Sequence, residues 1–247
     1  MSDGTSEALT TTSRDALLKR TVAILEVEGA SAVHLFGSLA RGDADALSDI
    51  DLWITVPDDE IARWVDRRFE IFNDIAEVVI YHEAPRNRPL GGSYTLVIHR
   101  LGDALIQTDY YFAPESTSVI LPEAHHLSGN QSLPRGSWLL DTHAEAAEDF
   151  HERIDFLIFM SFIGIKKAFR GDRAFLGFLD REFERFRRTY DPAGEPLDRI
   201  DSIDSLAGRL RSLLSLADDR QSDAIQAVLN DITRQVRLHP VGGDAVE

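Results

Sequence analysis

The segment FGSLARGDADALSDIDLWITV constrains the fold of this chain more than any other part of it. The apolar residues 31–36 predict a short strand, after which the chain turns at Gly37 and Ser38. Residues 49–56 alternate between polar and apolar side chains, which predicts a second strand with one buried face. The chain therefore leaves one strand through a glycine turn and soon enters another that begins with acids.

The residues at this turn and in the second strand suit a phosphorylated ligand and a metal ion. Glycine lets the main chain approach a ligand closely, so that the N–H groups at Gly37 and Ser38 favour phosphate oxygens. The Ser38 hydroxyl adds a further donor. Asp49 and Asp51 lie two residues apart on a strand, so their side chains point the same way. Because neighbouring carboxylates repel unless a cation lies between them, the pair indicates a Mg²⁺ site that phosphates would complete.

The stretch GSLARGDADALSDIDL resembles the signature of the DNA polymerase β-like nucleotidyltransferase superfamily, with Gly-Ser, a spacer and then Asp-x-Asp inside an apolar strand. The positions of Ser38, Arg41 and Ser48 resemble its small-molecule branch, which includes antibiotic and minimal nucleotidyltransferases. The resemblance implies that the Gly-Ser turn binds the triphosphate of ATP or another NTP. It implies that Asp49 and Asp51 bind one or two Mg²⁺ ions. Arg41 either contacts a phosphate or caps the turn.

The superfamily uses a third carboxylate on a later strand, and the segment ALIQTDYYFAP offers Asp109 for this role. A lone carboxylate in a buried strand is costly unless a cation or a donor lies beside it. The resemblance therefore implies that Asp109 is a metal ligand or the base that deprotonates an acceptor hydroxyl. An edge-strand acid that faces water is the alternative. Gln107 lies on the same face two residues earlier and is a candidate pocket residue.

The whole chain predicts an α+β protein. We expect a small mixed β-sheet nucleotidyltransferase domain with flanking helices at 1–114, a connecting loop at 115–140 and an all-α helical bundle domain at 141–247. Ser13 is the predicted N-cap of the first helix. The other predicted strands are 77–82, 94–99 and 105–112, with a hairpin turn at 101–103, and the predicted helices are 13–28, 58–74, 143–170, 172–189, 203–218 and 221–238.

The helical half resembles the second domain of the aminoglycoside and lincosamide nucleotidyltransferases, because one helix ends in Lys-x-x-x-Arg-Gly. In that family, basic residues on this helix help to hold the triphosphate. The resemblance implies this role for Lys166 and Arg170, which share a helix face, and Lys167 is a further candidate. A solvated basic helix end explains the same residues. The resemblance rests on motifs over 31–112 and is looser from 141 onward.

The composition indicates which binding partners and which cellular compartment to expect. The net charge of −16 disfavours nucleic acid, because neutralisation of phosphates by basic residues supplies most of that binding, and it favours a small cation. The chain has no cysteine, which excludes disulfides and thiolate metal sites. Its most apolar run, FLIFMSFIGI, is short beside the roughly 20 residues that span a bilayer. The start of the sequence lacks a secretory pattern, so we expect a cytoplasmic protein without a membrane partner.

These features predict an enzyme. We expect a Mg²⁺-dependent nucleotidyltransferase that moves a nucleoside monophosphate, AMP from ATP in the leading hypothesis, to a hydroxyl of a small cationic acceptor and releases pyrophosphate. An aminoglycoside-type antibiotic is one such acceptor. The alternatives are an antitoxin-like enzyme that modifies a protein side chain and a catalytically silent nucleotide-binding protein. The general base is Asp109 or another carboxylate near the cleft. The acceptor, the nucleotide and the oligomeric state stay open.

Overall fold

The structure, a computed structural model, describes residues 3–141, 149–192 and 198–238, with side chains between residues 11 and 237 of those ranges. The chain divides into two compact units, Met1–Ala147 and Glu148–Glu247. The first unit holds a six-stranded mixed sheet with flanking helices. The described residues of the second unit form helices joined by short connections. The predicted α+β class, a mixed-sheet domain followed by a helical bundle, is confirmed.

The sheet of the first unit has the strand order β3-β4-β5-β2-β1-β6. β2 and β5 are parallel, and the other neighbouring pairs of this sheet are antiparallel. The predicted hairpin between β4 and β5 is confirmed, with Leu101 paired to Ala104. The elements of this unit are α1 (Asp3–Glu28), β1 (Ala32–Phe36), α2 (Gly37–Arg41), β2 (Ile50–Val56), α3 (Ile61–Ile75), β3 (Glu77–Glu83), β4 (Ser93–Leu101), β5 (Ala104–Pro114) and β6 (His125–Gly129).

Two local expectations are wrong. Ser13 does not cap a helix, because α1 already begins at Asp3 and neither proline nor glycine interrupts it after its first turn. The predicted loop 115–140 contributes an edge strand, β6, which pairs with β1. The sequence of β6, HHLSG, has no apolar alternation because an edge strand here buries few of its side chains. The start of the predicted helix at 143–170 lies outside the described residues up to residue 148.

One face of the sheet packs against α1 and α3 to form the core of the first unit. Tyr110 and Phe112 of β5 are fully buried there, and their ring centroids lie 4.4 and 6.1 Å from that of Phe72 on α3. Burial of such side chains stabilises the fold by about 1.5–3 kcal/mol each. Because side chains alternate along a strand, Asp109 and Tyr111 must point to the opposite face.

The second unit consists, in its described residues, of α4 (Phe150–Phe169), α5 (Ala174–Tyr190), α6 (Ile203–Ser212) and α7 (Asp219–Leu238). Asp149 and Glu152 form a capping box at the start of α4, and Ser202 caps α6. The apolar run FLIFMSFIGI is largely buried in α4 as predicted. No helix in the described part of the chain has both the length and the apolar character needed to cross a membrane.

Burial makes His99 of β4 a pH-sensitive residue. Its side chain is 0% exposed, and its Nε2 lies 2.9 Å from the hydroxyl of Tyr110. Burial lowers the pKa of His99 to about 4, whereas histidine in an unfolded chain titrates near 6.5. Between these values the unfolded chain binds more protons, so the free energy of unfolding falls as the pH falls. From pH 6.5 to 4.5 we expect His99 to contribute about 2 kcal/mol of this loss.

Urea unfolding of the wild type and of His99→Gln, each at pH 6.5 and pH 4.5, measures how much His99 contributes to this loss of unfolding free energy. Glutamine does not titrate, so the variant should lose about 2 kcal/mol less over this interval. Burial also lowers the pKa of His34 to about 4, and that loss is common to both proteins. Equal losses in the two proteins would contradict the assignment to His99.

Candidate active site

The glycine turn lies directly against the acid strand. β1 ends at Phe36 and α2 begins at the next residue, so no loop separates strand from turn. Gly37 has a φ of 69°, a left-handed conformation that glycine adopts freely, and the half-buried Ser38 follows it. A Cβ at Gly37 would lie 2.0 Å from Oδ2 of Asp51. The missing side chain therefore permits the close approach of this carboxylate to the turn.

Asp51 and Asp109 occupy directly opposed positions on the parallel strands β2 and β5. Both side chains therefore lie on the face of the sheet away from α1 and α3. Asp49, half-buried, immediately precedes β2. Burial raises the pKa of Tyr111, and the charges of Asp109, Asp51 and Asp49 raise it further. The charges of all three predicted acids therefore act on the phenol of Tyr111.

Asp109 is buried, with 7% of its surface exposed, and both of its carboxylate oxygens accept a hydrogen bond. The Tyr94 hydroxyl donates to Oδ2 and the Gln107 amide donates to Oδ1, each at 2.8 Å. Because β5 lies between β4 and β2, the alternative of an edge-strand acid facing water is wrong. Among the described residues, no group of three or more His, Cys, Asp or Glu side chains is placed to hold a metal ion.

Asp49 and Asp51 have the chemistry that a hard divalent cation requires. Carboxylate oxygens are the ligands that Mg²⁺ prefers, and both side chains are only half-buried, so that an ion can reach them. The absence of a side chain at Gly37 lets Oδ2 of Asp51 lie against the main chain of the turn. The residues present therefore fit a divalent cation with phosphate oxygens in its shell.

Two of the predicted site residues, Ser48 and Arg41, contact neighbouring residues in the segment that joins α2 to β2. The Ser48 hydroxyl donates to Oδ1 of Asp45 at 2.9 Å and accepts from the Asp45 N–H at 3.0 Å. Arg14 of α1, 6% exposed, donates to the main-chain carbonyl of Asp45 at 2.6 Å. The exposed Arg41 pairs with Asp43, 3.3 Å away. Sequence reasoning missed Arg14, because one arginine in a polar helix carries no distinctive pattern.

The three basic candidates of the helical half, Lys166, Lys167 and Arg170, belong to the second unit. Lys166 is 7% exposed, and its ammonium lies 5.6 Å from the centroid of the Phe162 ring. Burial raises the pKa of Asp231, whereas the charges of Arg234 and Lys166 lower it. Lys166 therefore lies near an acid of its own bundle. Arg170 is exposed at the C-terminal end of α4. The triphosphate role of all three residues stays a prediction.

A row of aromatic rings crosses the sheet beside the acids. Tyr94 stacks on Tyr111 with a centroid distance of 3.9 Å, and Trp53 follows at 5.9 Å. Trp138, from the segment after β6, stacks on Trp53 at 4.4 Å. This row gives the carboxylates an apolar wall, which strengthens electrostatic interactions next to it. Its successive cross-strand members, from β4 to β6, are Tyr94, Tyr111, Trp53, His34 and His126.

A Gly-Ser turn packed on an Asp-x-Asp strand, with a further acid on the parallel neighbour, is the arrangement of a nucleotidyltransferase domain. Residues 18–124 match the family model described as Nucleotidyltransferase domain. This part of the chain is therefore similar to nucleotidyltransferase domains of the polymerase β-like superfamily, which supports a nucleotidyl transfer function. The match includes the turn and all three acids. No curated protein matches the chain.

Replacement of Gly37 by alanine tests the close approach of the Asp51 carboxylate to the turn. Gly42→Ala is the matched control. Both glycines have positive φ, 69° and 76°, so alanine costs roughly 1–2 kcal/mol of conformational energy at either. A Cβ at Gly42 would meet nothing within 4 Å, whereas one at Gly37 would displace Asp51. Urea unfolding should therefore show a larger loss of stability for Gly37→Ala. Equal losses would mean that the Asp51 carboxylate does not need this space.

Proposed function

We propose that the protein is a Mg²⁺-dependent nucleotidyltransferase that transfers AMP from ATP to a hydroxyl of a small cationic acceptor and releases pyrophosphate. The observation that carries the proposal is the register of β2 and β5. It sets Asp51 opposite Asp109 on one face, next to Gly37. This pairing lies within the residues that match the nucleotidyltransferase family model.

Each residue of the turn and the strands has a part in the proposed reaction. The Gly37 turn and the Ser38 hydroxyl would hold the β- and γ-phosphates. Asp49 and Asp51 would hold Mg²⁺, which when bound stabilises the negative charge that develops at the α-phosphate. Asp109 would accept the proton of the acceptor hydroxyl while the oxygen of that hydroxyl attacks the α-phosphorus. The bond to the leaving pyrophosphate breaks in line with this attack.

Four further residues are candidates for the triphosphate. Arg41 and Ser48 flank the Gly-Ser turn and the acid strand in the sequence, and a small rearrangement of Arg41 away from Asp43 would free its guanidinium for a phosphate. Lys166 and Arg170 are proposed for the same ligand by their resemblance to the antibiotic nucleotidyltransferases. None of the four is needed for the chemistry assigned to the acids.

Charge and aromatic surface support a cationic acceptor. The chain carries a net charge of −16, and the three acids lie beside the half-buried ring of Tyr111. Carboxylates and aromatic faces both attract ammonium groups. An aminoglycoside-type antibiotic, with several ammonium groups and hydroxyls, has this chemistry. We therefore propose that class of acceptor before a neutral one.

Labelled transfer tests the proposal directly. The protein is incubated with Mg²⁺, ATP labelled at the α-phosphate and a panel of aminoglycosides, lincosamides and proteins. We expect label on a small cationic acceptor and a matching release of pyrophosphate. Asp49→Asn and Asp51→Asn should each lower the rate by about a hundredfold or more, because charge stabilisation at the α-phosphate is lost. Asp103→Asn, in the exposed hairpin turn, is the matched control and should keep the rate.

The other outcomes separate the competing functions. Label on a protein side chain would replace the small-molecule proposal by an antitoxin-like modification. If no acceptor and no nucleotide gives pyrophosphate release, the protein does not act as a transferase under these conditions and the proposal fails.

A further inference from the structure

We propose that His34 of β1 and His126 of β6 form a binding site for a divalent transition-metal ion such as Zn²⁺. The two residues are directly opposed on neighbouring antiparallel strands of the first unit. The site uses none of the acids proposed for Mg²⁺, so it goes beyond the proposed function and does not rest on it. An ion bound by both side chains would tie the edge strand β6 to the rest of the sheet.

The distance between the two imidazole rings suits one shared ion. Their centroids are 5.2 Å apart, and the ring planes are tilted by 59°. Zinc–nitrogen bonds are about 2.0–2.1 Å long, so two histidine rings that bind one ion tetrahedrally have centroids roughly 5 Å apart. The tilt matters because a ring nitrogen coordinates in the plane of its ring, and the planes of two parallel rings do not meet at one ion. The spacing and the tilt of the pair therefore both allow coordination of one ion.

The ring nitrogens of the pair are buried without a hydrogen bond. Both nitrogens of His34 and Nδ1 of His126 are inaccessible to solvent, and they have no hydrogen-bond partner among the described residues. A buried polar nitrogen without a partner is unfavourable, and coordination of a metal ion removes this cost. His34 is only 2% exposed, so its nitrogens are not those of a solvated surface side chain.

His34 is in the protonation state that a metal ion requires. Metal ions coordinate the neutral imidazole, because one of its nitrogens carries a free lone pair. Burial, and then the charges of His126 and Arg135, lower the pKa of His34 to about 4, so the ring is neutral at neutral pH. Arg135 is exposed, so solvent screens its repulsion of a bound cation. The net charge of −16 attracts cations to the chain.

The donor atoms of the pair favour a transition metal over Mg²⁺ or Ca²⁺. Imidazole nitrogen suits Zn²⁺, Cu²⁺ and Ni²⁺, whereas Mg²⁺ and Ca²⁺ take oxygen ligands. In the described part of the chain no third His, Cys, Asp or Glu side chain joins the pair, so water would fill the remaining positions. Because His126 is half-buried on an edge strand, an ion and its water can reach the pair from the edge of the sheet.

The strand that would gain from the ion is weakly supported. β6 has five residues and buries few of its side chains, and its pairing with β1 shifts register between Val33 and His34. A short edge segment with few buried contacts opens more readily than the centre of a sheet. An ion with one ligand from each strand binds only when the strands are paired, so it would stabilise the closed form of β6.

Isothermal titration calorimetry of the full chain with Zn²⁺, in excess Mg²⁺, tests the site. Mg²⁺ occupies carboxylates but competes weakly for imidazole nitrogen. We expect His34→Gln and His126→Gln each to weaken Zn²⁺ binding by about tenfold or more, because one of two protein ligands is lost. His125→Gln is the matched control. His125 is the exposed neighbour on the other face of β6, opposite Leu35, and its replacement should change the affinity by less than about threefold.

Hydrogen exchange locates the effect of the ion in the sheet. At a free Zn²⁺ concentration about ten times the measured Kd, amide exchange through opening of β6 should slow about tenfold in the wild type, because the ion binds only the closed form. Exchange in β3, at the other edge of the sheet, should not change. In His126→Gln the same Zn²⁺ concentration should slow exchange in β6 by less than about twofold.

The alternative results overturn the proposal in different ways. If the wild type binds no Zn²⁺ in excess Mg²⁺, or if both histidine variants bind it as tightly as the wild type, the pair is not a metal site. Zn²⁺ binding that is lost in Asp51→Asn and kept in both histidine variants would assign the ion to the acids. Urea unfolding midpoints show whether each variant is folded. Should the buried His34→Gln variant not fold, His126→Gln on the edge strand still decides.

Discussion

The parallel register between β2 and β5 is the constraint on which the site depends. A shift of one residue along either strand would carry its acid to the face packed against α1 and α3, where Tyr110 is fully buried. An unpaired carboxylate there would cost several kcal/mol. The buried apolar side chains that hold the sheet together therefore also fix Asp51 opposite Asp109. Core packing and site geometry follow from the same alternation along the strands.

Two opposed carboxylates destabilise the fold, and the surrounding residues offset this in different ways. Asp51 is half-buried and lies against the main chain of Gly37. Asp109 is buried and is stabilised by Tyr94 and Gln107 instead. One carboxylate is thus partly exposed, and the other accepts hydrogen bonds from buried neighbours.

Local sequence patterns predicted the turn and the acids of the strands. The contacts between residues far apart in the sequence could not be predicted in this way. Gly37 between two apolar runs, and Asp51 two residues after Asp49, are features of a few adjacent residues. The hydrogen bond from Tyr94 to Asp109 links different strands, and the contact of Arg14 with the loop carbonyl of Asp45 links a helix to a loop. No periodicity in the chain encodes such contacts. β6 escaped prediction for a related reason, since an edge strand with few buried residues shows little alternation.

Each acid is positioned by a different part of the first unit. Asp49 follows Ser48, whose main-chain carbonyl, like that of Asp45, accepts a hydrogen bond from Arg14 on α1. Asp51 is positioned by the pairing of β2 with β1, and Asp109 depends on Tyr94 of β4. A site assembled from separate supports can lose one acid's position while the others stay in place.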